Sequence, residues 1–250
     1  MWTNIWLLAC KQIHPYSIWW NKMHRALLYI AISFEKMAVY IKKRISKKIL
    51  RSFLQHYSLI DGYMKPKSNI HYNPYEGTSL LLIDELIKSG EIQRNDKIFD
   101  IGCGAGIFIL YLAHKGFMNL QGIEIDDELF SLCNENINKY QNSHTVNGFN
   151  EQKIKINKGD AVKHEVEDDV NCFYLFNTFF DEETYLIWLS MVRKSVLRCK
   201  RTVKIIILYP TVASMGAMRK CGWLQEKKRV ICRAQTCFRC VNYLIYESKI

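Results

Sequence analysis

Residues 97–112 read KIFDIGCGAGIFILYL. An apolar run of strand length meets a Gly102-Cys103-Gly104-Ala105-Gly106 turn, and an apolar run of helical length follows at once. Few folds accept that order. Glycine permits positive φ in a tight turn, and without a Cβ it lets a ligand lie against bare backbone. The helix start adds unpaired N–H groups. In open α/β sheets, ligands bind beyond the carboxyl ends of the strands, where such a turn lies.

The surrounding pattern agrees with that placement. Strand-like runs at 97–101, 120–125, 153–156, 170–176 and 203–209 alternate with helical runs at 80–87, 107–114, 127–137 and 182–198. Such alternation predicts a Rossmann-like α/β fold, a doubly wound and mostly parallel sheet with helices on both faces. Two later runs, 223–232 and 238–247, have no obvious helix between them. They predict a C-terminal antiparallel hairpin, which brings the sheet to seven strands. Thr78 or Ser79 is placed to cap the first core helix, and Asp126 or Asp127 to cap the helix that follows the second strand. Asp181, Glu182 and Glu183 fall in a first helical turn, where negative charge offsets the helix dipole.

At 250 residues and 49% hydrophobic, the chain excludes a disordered or fibrous protein. Its charge is segregated. Residues 1–60 carry 10 basic and 1 acidic side chains, residues 61–189 carry 11 and 21, and residues 190–240 carry 13 and 1. Two domains are expected: a basic, Trp-rich helical extension over 1–60, and the α/β domain over 61–250. The extension carries Trp2, Trp6, Trp19 and Trp20, a dense apolar stretch and the run KKRISKK at 42–48. It fits an anionic partner, nucleic acid or a membrane surface, or a solvated basic face. The longest clean apolar run, Ala26 to Phe34, is too short to span a bilayer. With no secretory signal visible and an odd count of 9 Cys, a cytoplasmic protein with reduced thiols is expected, with peripheral membrane association open. Cys221, Cys232, Cys237 and Cys240 include one C-x₂-C pair, which does not match the paired spacing of a structural zinc site.

Glu124 stands 22 residues after Gly102, at the end of the strand LQGIEID. A carboxylate there can accept both hydroxyls of an adenosine ribose. After the next strand comes Lys158-Gly159-Asp160-Ala161, where an Asp can accept from an adenine amino group. The spacing leaves two cofactors open, a dinucleotide or an adenosyl sulfonium. The combination IFDIGCGAG, GIEID and GDA resembles the class I S-adenosylmethionine-dependent methyltransferases, over about residues 68–248. The reversed last strand of that family also matches the expected hairpin. The resemblance implies S-adenosyl-L-methionine as cofactor. Gly102, Cys103 and Gly104 would lie along its methionine part, Asp100 beside the amino group, Glu124 at the ribose, and Asp160 and Ala161 at the adenine. Tyr75 or Thr78 would touch the donor methionine or the acceptor.

The run FYLFNTFFDEE, 173–183, closes the fourth strand. It resembles the Asn-Pro-Pro-aromatic motif of amine-directed methyltransferases, with Thr178 and Phe179 in place of the prolines. The resemblance makes Asn177 the catalytic residue that orients the acceptor, with Phe179 or Phe180 as a wall. Three acceptors remain open: RNA, a protein amine, and a glycan or lipid intermediate. A non-catalytic nucleotide-binding module and a dinucleotide-dependent oxidoreductase are the alternatives to a methyltransferase.

Overall fold

A computed structural model describes residues 17–61, 75–145, 153–231 and 242–249. Helix α1 spans Ser17–His56 and α2 Leu80–Lys88. The chain then alternates: β1 (Lys97–Ile101), α3 (Ile107–His114), β2 (Asn119–Glu124), α4 (Asp127–Thr145), β3 (Lys153–Lys158), β4 (Cys172–Phe176), α5 (Glu182–Arg198), β5 (Lys204–Leu208), α6 (Val212–Lys220), β6 (Leu224–Val230) and β7 (Tyr243–Ser248). The strands form one sheet in the order β3-β2-β1-β4-β5-β7-β6. β7 runs antiparallel to both β5 and β6, and the other pairings are parallel. The expected fold class holds, and β7 alone is reversed. The part of the expected last strand at 238–241 lies outside the described residues.

Two apolar cores lie on the two faces of the sheet, and the strand period of two sorts residues between them. Ile98, Tyr174, Ile206 and Ile245 face one core, with α2 and α3. Phe99, Phe173, Ile205 and Leu244 face the other, with α5 and α6. Covered on both sides, the central strands are near-continuous apolar runs, as parallel sheets require. Helix α3 is buried from Ile107 to Ala113, so it is apolar all round rather than amphipathic. Helix α5 buries Tyr185, Trp188, Leu189 and Val192 on its inner face.

The contacts divide the chain into two units, 1–44 and 45–250. This differs from a boundary near 60. Phe53, Tyr57 and Leu59 are buried in the core of the larger unit, so the last turns of α1 are part of it. Phe53 meets Tyr111 edge-on at 5.2 Å, and the Tyr57 hydroxyl lies 2.8 Å from His114 Nδ1. In the smaller unit, α1 leaves Leu27, Ile30, Phe34 and Met37 exposed. No helix among the described residues is long and apolar enough to cross a membrane.

Candidate active site

The glycine turn joins β1 to α3 as expected. Gly102, Gly104 and Gly106 have φ of 79°, 54° and 79°, which an L side chain rarely adopts. The Gly102 and Cys103 N–H groups both donate to the Ile123 carbonyl, at 2.9 and 3.0 Å, so the turn is tied to the end of β2. One residue on, Glu124 folds its carboxylate back under the turn. Its Oε2 accepts from the Gly104 N–H at 2.8 Å and its Oε1 from the Asp126 N–H at 2.9 Å. Burial raises the Glu124 pKa, against the lowering effect of those N–H donors.

Asp100 is different. It is buried on β1, where its backbone pairs with β2 and β4, but its carboxylate makes no hydrogen bond among the described residues, and the residue borders a cleft. Burial, then the nearby Glu124 charge, pushes its pKa well above the ordinary value. The cleft holds about 300 Å³ of empty space and is also lined by Tyr75, Thr78, Gly102, Phe108, Tyr174 and Phe176. Phe108 stacks on Tyr174 with ring centroids 3.7 Å apart and planes 10° apart. The Tyr174 hydroxyl lies 3.0 Å from Thr78 Oγ1. An unpaired carboxylate in an aromatic-walled cleft asks for a cationic ligand, because only an opposite charge or strong donors offset its burial. The ammonium and sulfonium of S-adenosylmethionine are such charges, and the residues present fit them.

Tyr75 occupies part of the expected ligand path. A Cβ on Gly104 would stand 2.0 Å from the Tyr75 ring. The face of Gly104 is therefore covered by this ring, and Gly102 is the glycine that borders the cleft. The Tyr75 hydroxyl donates to Asp61 at 3.1 Å, and burial holds its pKa well up. Nothing local in the sequence announces this long-range contact. Tyr72 lies outside the described residues.

The remaining expected residues are placed as follows. Cys103 borders the cleft, its thiol packs against Gly122 and Cys133, and its Cys133 hydrogen bond and burial raise its pKa. That environment disfavours the thiolate, the nucleophilic form of the side chain. Asp160 accepts from the Val162 N–H at 3.0 Å, closing its own turn, and Ala161 packs on the second core. Asp126 caps α4 by accepting from Glu128 and Leu129. Ser79 is the N-cap of α2, but its hydroxyl pairs with Ser46 at 2.8 Å rather than with the helix. Cys232, Cys237 and Cys240 lie outside the described residues, and those residues hold no cluster of metal-ligating side chains.

Asn177 follows the last residue of β4 with φ 51°, half-buried, and its side chain makes no hydrogen bond among the described residues. The missing prolines are compensated. Thr178 Oγ1 donates to the Ile101 carbonyl at 2.7 Å, pinning the turn to β1, and Phe179 is buried against Tyr185 and Trp188. Phe179 is thus core and Phe180 is exposed, which corrects their expected role as the wall. Phe176 and Tyr174 supply that wall instead. Asp181 caps α5 through the Thr184 N–H at 2.8 Å.

Residues 64–220 match the family described as histone methylation protein DOT1. The chain belongs to that family. Its core is a class I S-adenosylmethionine-dependent methyltransferase domain, with the strand order given above. A curated relative is the H3 lysine-79 specific histone-lysine N-methyltransferase of Dictyostelium discoideum, 28% identical over 150 residues, 58% of this chain and 8% of that protein. Another is ribosomal RNA small subunit methyltransferase A of Latilactobacillus sakei, 30% identical over 70 residues, 28% of this chain and 23% of that protein. The DOT1-family chain therefore spans under a quarter of the length of either relative. Among solved structures, the PH0226 protein of Pyrococcus horikoshii is similar with a TM-score of 0.49 and 14% identity, covering 68% of this chain and 90% of that one. An RNA methyltransferase of Salinibacter ruber in complex with S-adenosyl-L-homocysteine is similar with a TM-score of 0.47 and 13% identity, covering 69% and 92%.

Proposed function

We propose that this chain is an N-methyltransferase acting on a protein amine, with a lysine side chain as the acceptor class. The observation that carries the reading is Asn177. It stands at the carboxyl end of β4 in a strained backbone conformation, with a side chain that no described residue satisfies, next to the aromatic residue Phe176. Strain of 1–3 kcal/mol of this kind persists where the surrounding structure fixes it, and it collects at functional sites. The family match and the histone-directed relative support the same acceptor class.

In this reading Asp100 holds the donor's amino group, Gly102 presents backbone along the methionine part with Gly104 behind the Tyr75 ring, Glu124 reaches the ribose, and Asp160 with Ala161 borders the adenine. When bound, the donor supplies an electrophilic methyl group on a sulfonium and a neutral thioether as leaving group. The Asn177 side-chain oxygen accepts one N–H of the neutral amine and so aims its lone pair. Tyr174 and Phe176 exclude water and stack beside the alkyl stem. Placement of this kind accounts for much of the rate enhancement, with no strong base at the reacting nitrogen.

The test is to incubate the chain and cell-lysate fractions with tritiated S-adenosylmethionine. Label in protein, recovered as methyl-lysine after acid hydrolysis, is the expected result. Label confined to RNA, lipid or glycan would overturn the amine acceptor. Asn177→Ala should lower turnover by about a hundredfold, with donor affinity within about twofold of the parent, because it removes an interaction made at the reacting nitrogen only. An equal loss of donor affinity would show that Asn177 holds the donor instead.

A further inference from the structure

Along α1, eight apolar side chains between Leu27 and Ile41 are each between 49% and 72% exposed. Leu27, Ile30, Phe34, Met37 and Ile41 recur at steps of three and four, which lays them on one stripe. Leu28 and Tyr29 are exposed off that stripe, so the helix is apolar on more than one side there. Lys42, Lys43 and Arg44 follow at once, the last two exposed. A solvated helix does not keep a run like this, since large apolar side chains left in water forgo the free energy of burial. A covering partner has to take both the apolar stripe and the cations.

We propose that α1 docks on an anionic lipid surface. The stripe from Leu27 to Ile41 lies in the boundary between headgroups and acyl chains, and Lys42, Lys43 and Arg44 rest on lipid phosphates. Nucleic acid would take the cations but leave the stripe in water. A second copy of the helix would use the stripe, but not Leu28 or Tyr29. It would also bring two cationic ends into a helix pair whose only acidic residue is Glu35. A bilayer interface covers several sides of a helix and carries the opposite charge.

Vesicle flotation with the full chain tests this. With vesicles of phosphatidylcholine and phosphatidylglycerol at about 1 mM lipid, the chain floats, and with phosphatidylcholine alone it does so at least about tenfold less. Phe34→Glu with Ile41→Glu removes flotation. Lys42→Gln, Lys43→Gln and Arg44→Gln together lower binding by about a hundredfold and flatten its salt dependence. All these side chains are exposed or half-exposed, so circular dichroism and donor affinity stay as in the parent. No flotation on anionic vesicles overturns the proposal, and so does flotation that ignores both sets of changes. RNA binding that survives Phe34→Glu, without vesicle binding, makes the partner nucleic acid. A dimer seen by light scattering and lost in Phe34→Glu, again without vesicle binding, makes it a second copy.

Discussion

The two ends of the sheet handle buried polarity in opposite ways. Around the amino ends of the strands, the described charges are paired. Lys97 opens β1 with its N–H on Asn171 and its ammonium on Glu167 at 2.7 Å and Asp169 at 2.6 Å. Glu167 also takes Lys155 at 2.6 Å and Gln121 at 2.8 Å. Asp96, buried, takes Lys204 at 2.7 Å, Asn171 at 2.9 Å and the Gln93 N–H at 2.8 Å. At the carboxyl ends, the buried Asp100 carboxylate has no hydrogen bond among the described residues, and Asn177 has positive φ. Tyr209, the residue after β5, has φ 48°. One end is built for stability and the other forgoes stability for a ligand.

The largest effect should come from breaking the stable end. Lys204→Met strands the Asp96 carboxylate, and loss of one partner of a buried pair costs about 3–5 kcal/mol. Asn171 and the Gln93 N–H still reach Asp96, so a loss near the low end is expected in urea unfolding. A loss of a few tenths would mean that the pair is solvated.

The opposite change sharpens the contrast. Asp100→Asn removes an unpaired buried charge, so the melting temperature should rise. Donor affinity measured by calorimetry should fall by about tenfold or more, the usual loss for a charged hydrogen bond. The pH dependence follows from the raised pKa. The folded state holds the Asp100 proton more tightly than the unfolded chain does, so the charged form reduces stability as pH rises above the ordinary 3.8. Donor binding needs that charged form and so weakens as pH falls through the raised value. Asp100→Asn should abolish this pH dependence of binding. If it persists, another group is the one titrating.

Glu124→Ala is next, with donor binding weaker by about 1–3 kcal/mol. It also strands the Gly104 and Asp126 N–H groups, so the melting temperature should drop too, in contrast to Asp100→Asn. The smallest change is Glu167→Gln. Hydrogen bonds from Lys155 and Lys97 hold the Glu167 pKa down, to about 2 from 4.5. Its contribution is full above pH 4.5 and is lost as pH falls toward 2. Urea unfolding of the variant should show a shallower loss of stability across that window and no change in donor affinity.

Much of this division is legible in the sequence, because much of it is local. The glycine turn, the Asp126 and Asp181 caps and the strand alternation each depend on neighbours within a few residues. What escapes depends on distant contacts. The Tyr75 ring reaches Gly104 from outside the β-α repeats. The sidedness of Phe179 and Phe180 is set by Thr178 reaching across to Ile101, beyond the end of β4, where the period of two no longer applies. The boundary near 60 follows charge, whereas Phe53 and Tyr57 follow packing. Tyr209 carries no sequence signal for positive φ, since a bulky aromatic residue is a poor candidate for it.

The place of β7 between β5 and β6 has a consequence for synthesis. β6 emerges from the ribosome before β7, the strand it pairs with among the described residues, and β5 offers a bare edge of isoleucines during the same interval. Until Tyr243–Ser248 is made, the nascent sheet carries two unsatisfied borders, the condition under which chains stick to one another. A premature stop just before Tyr243 should therefore yield insoluble protein, even though every residue of the glycine turn has already been made.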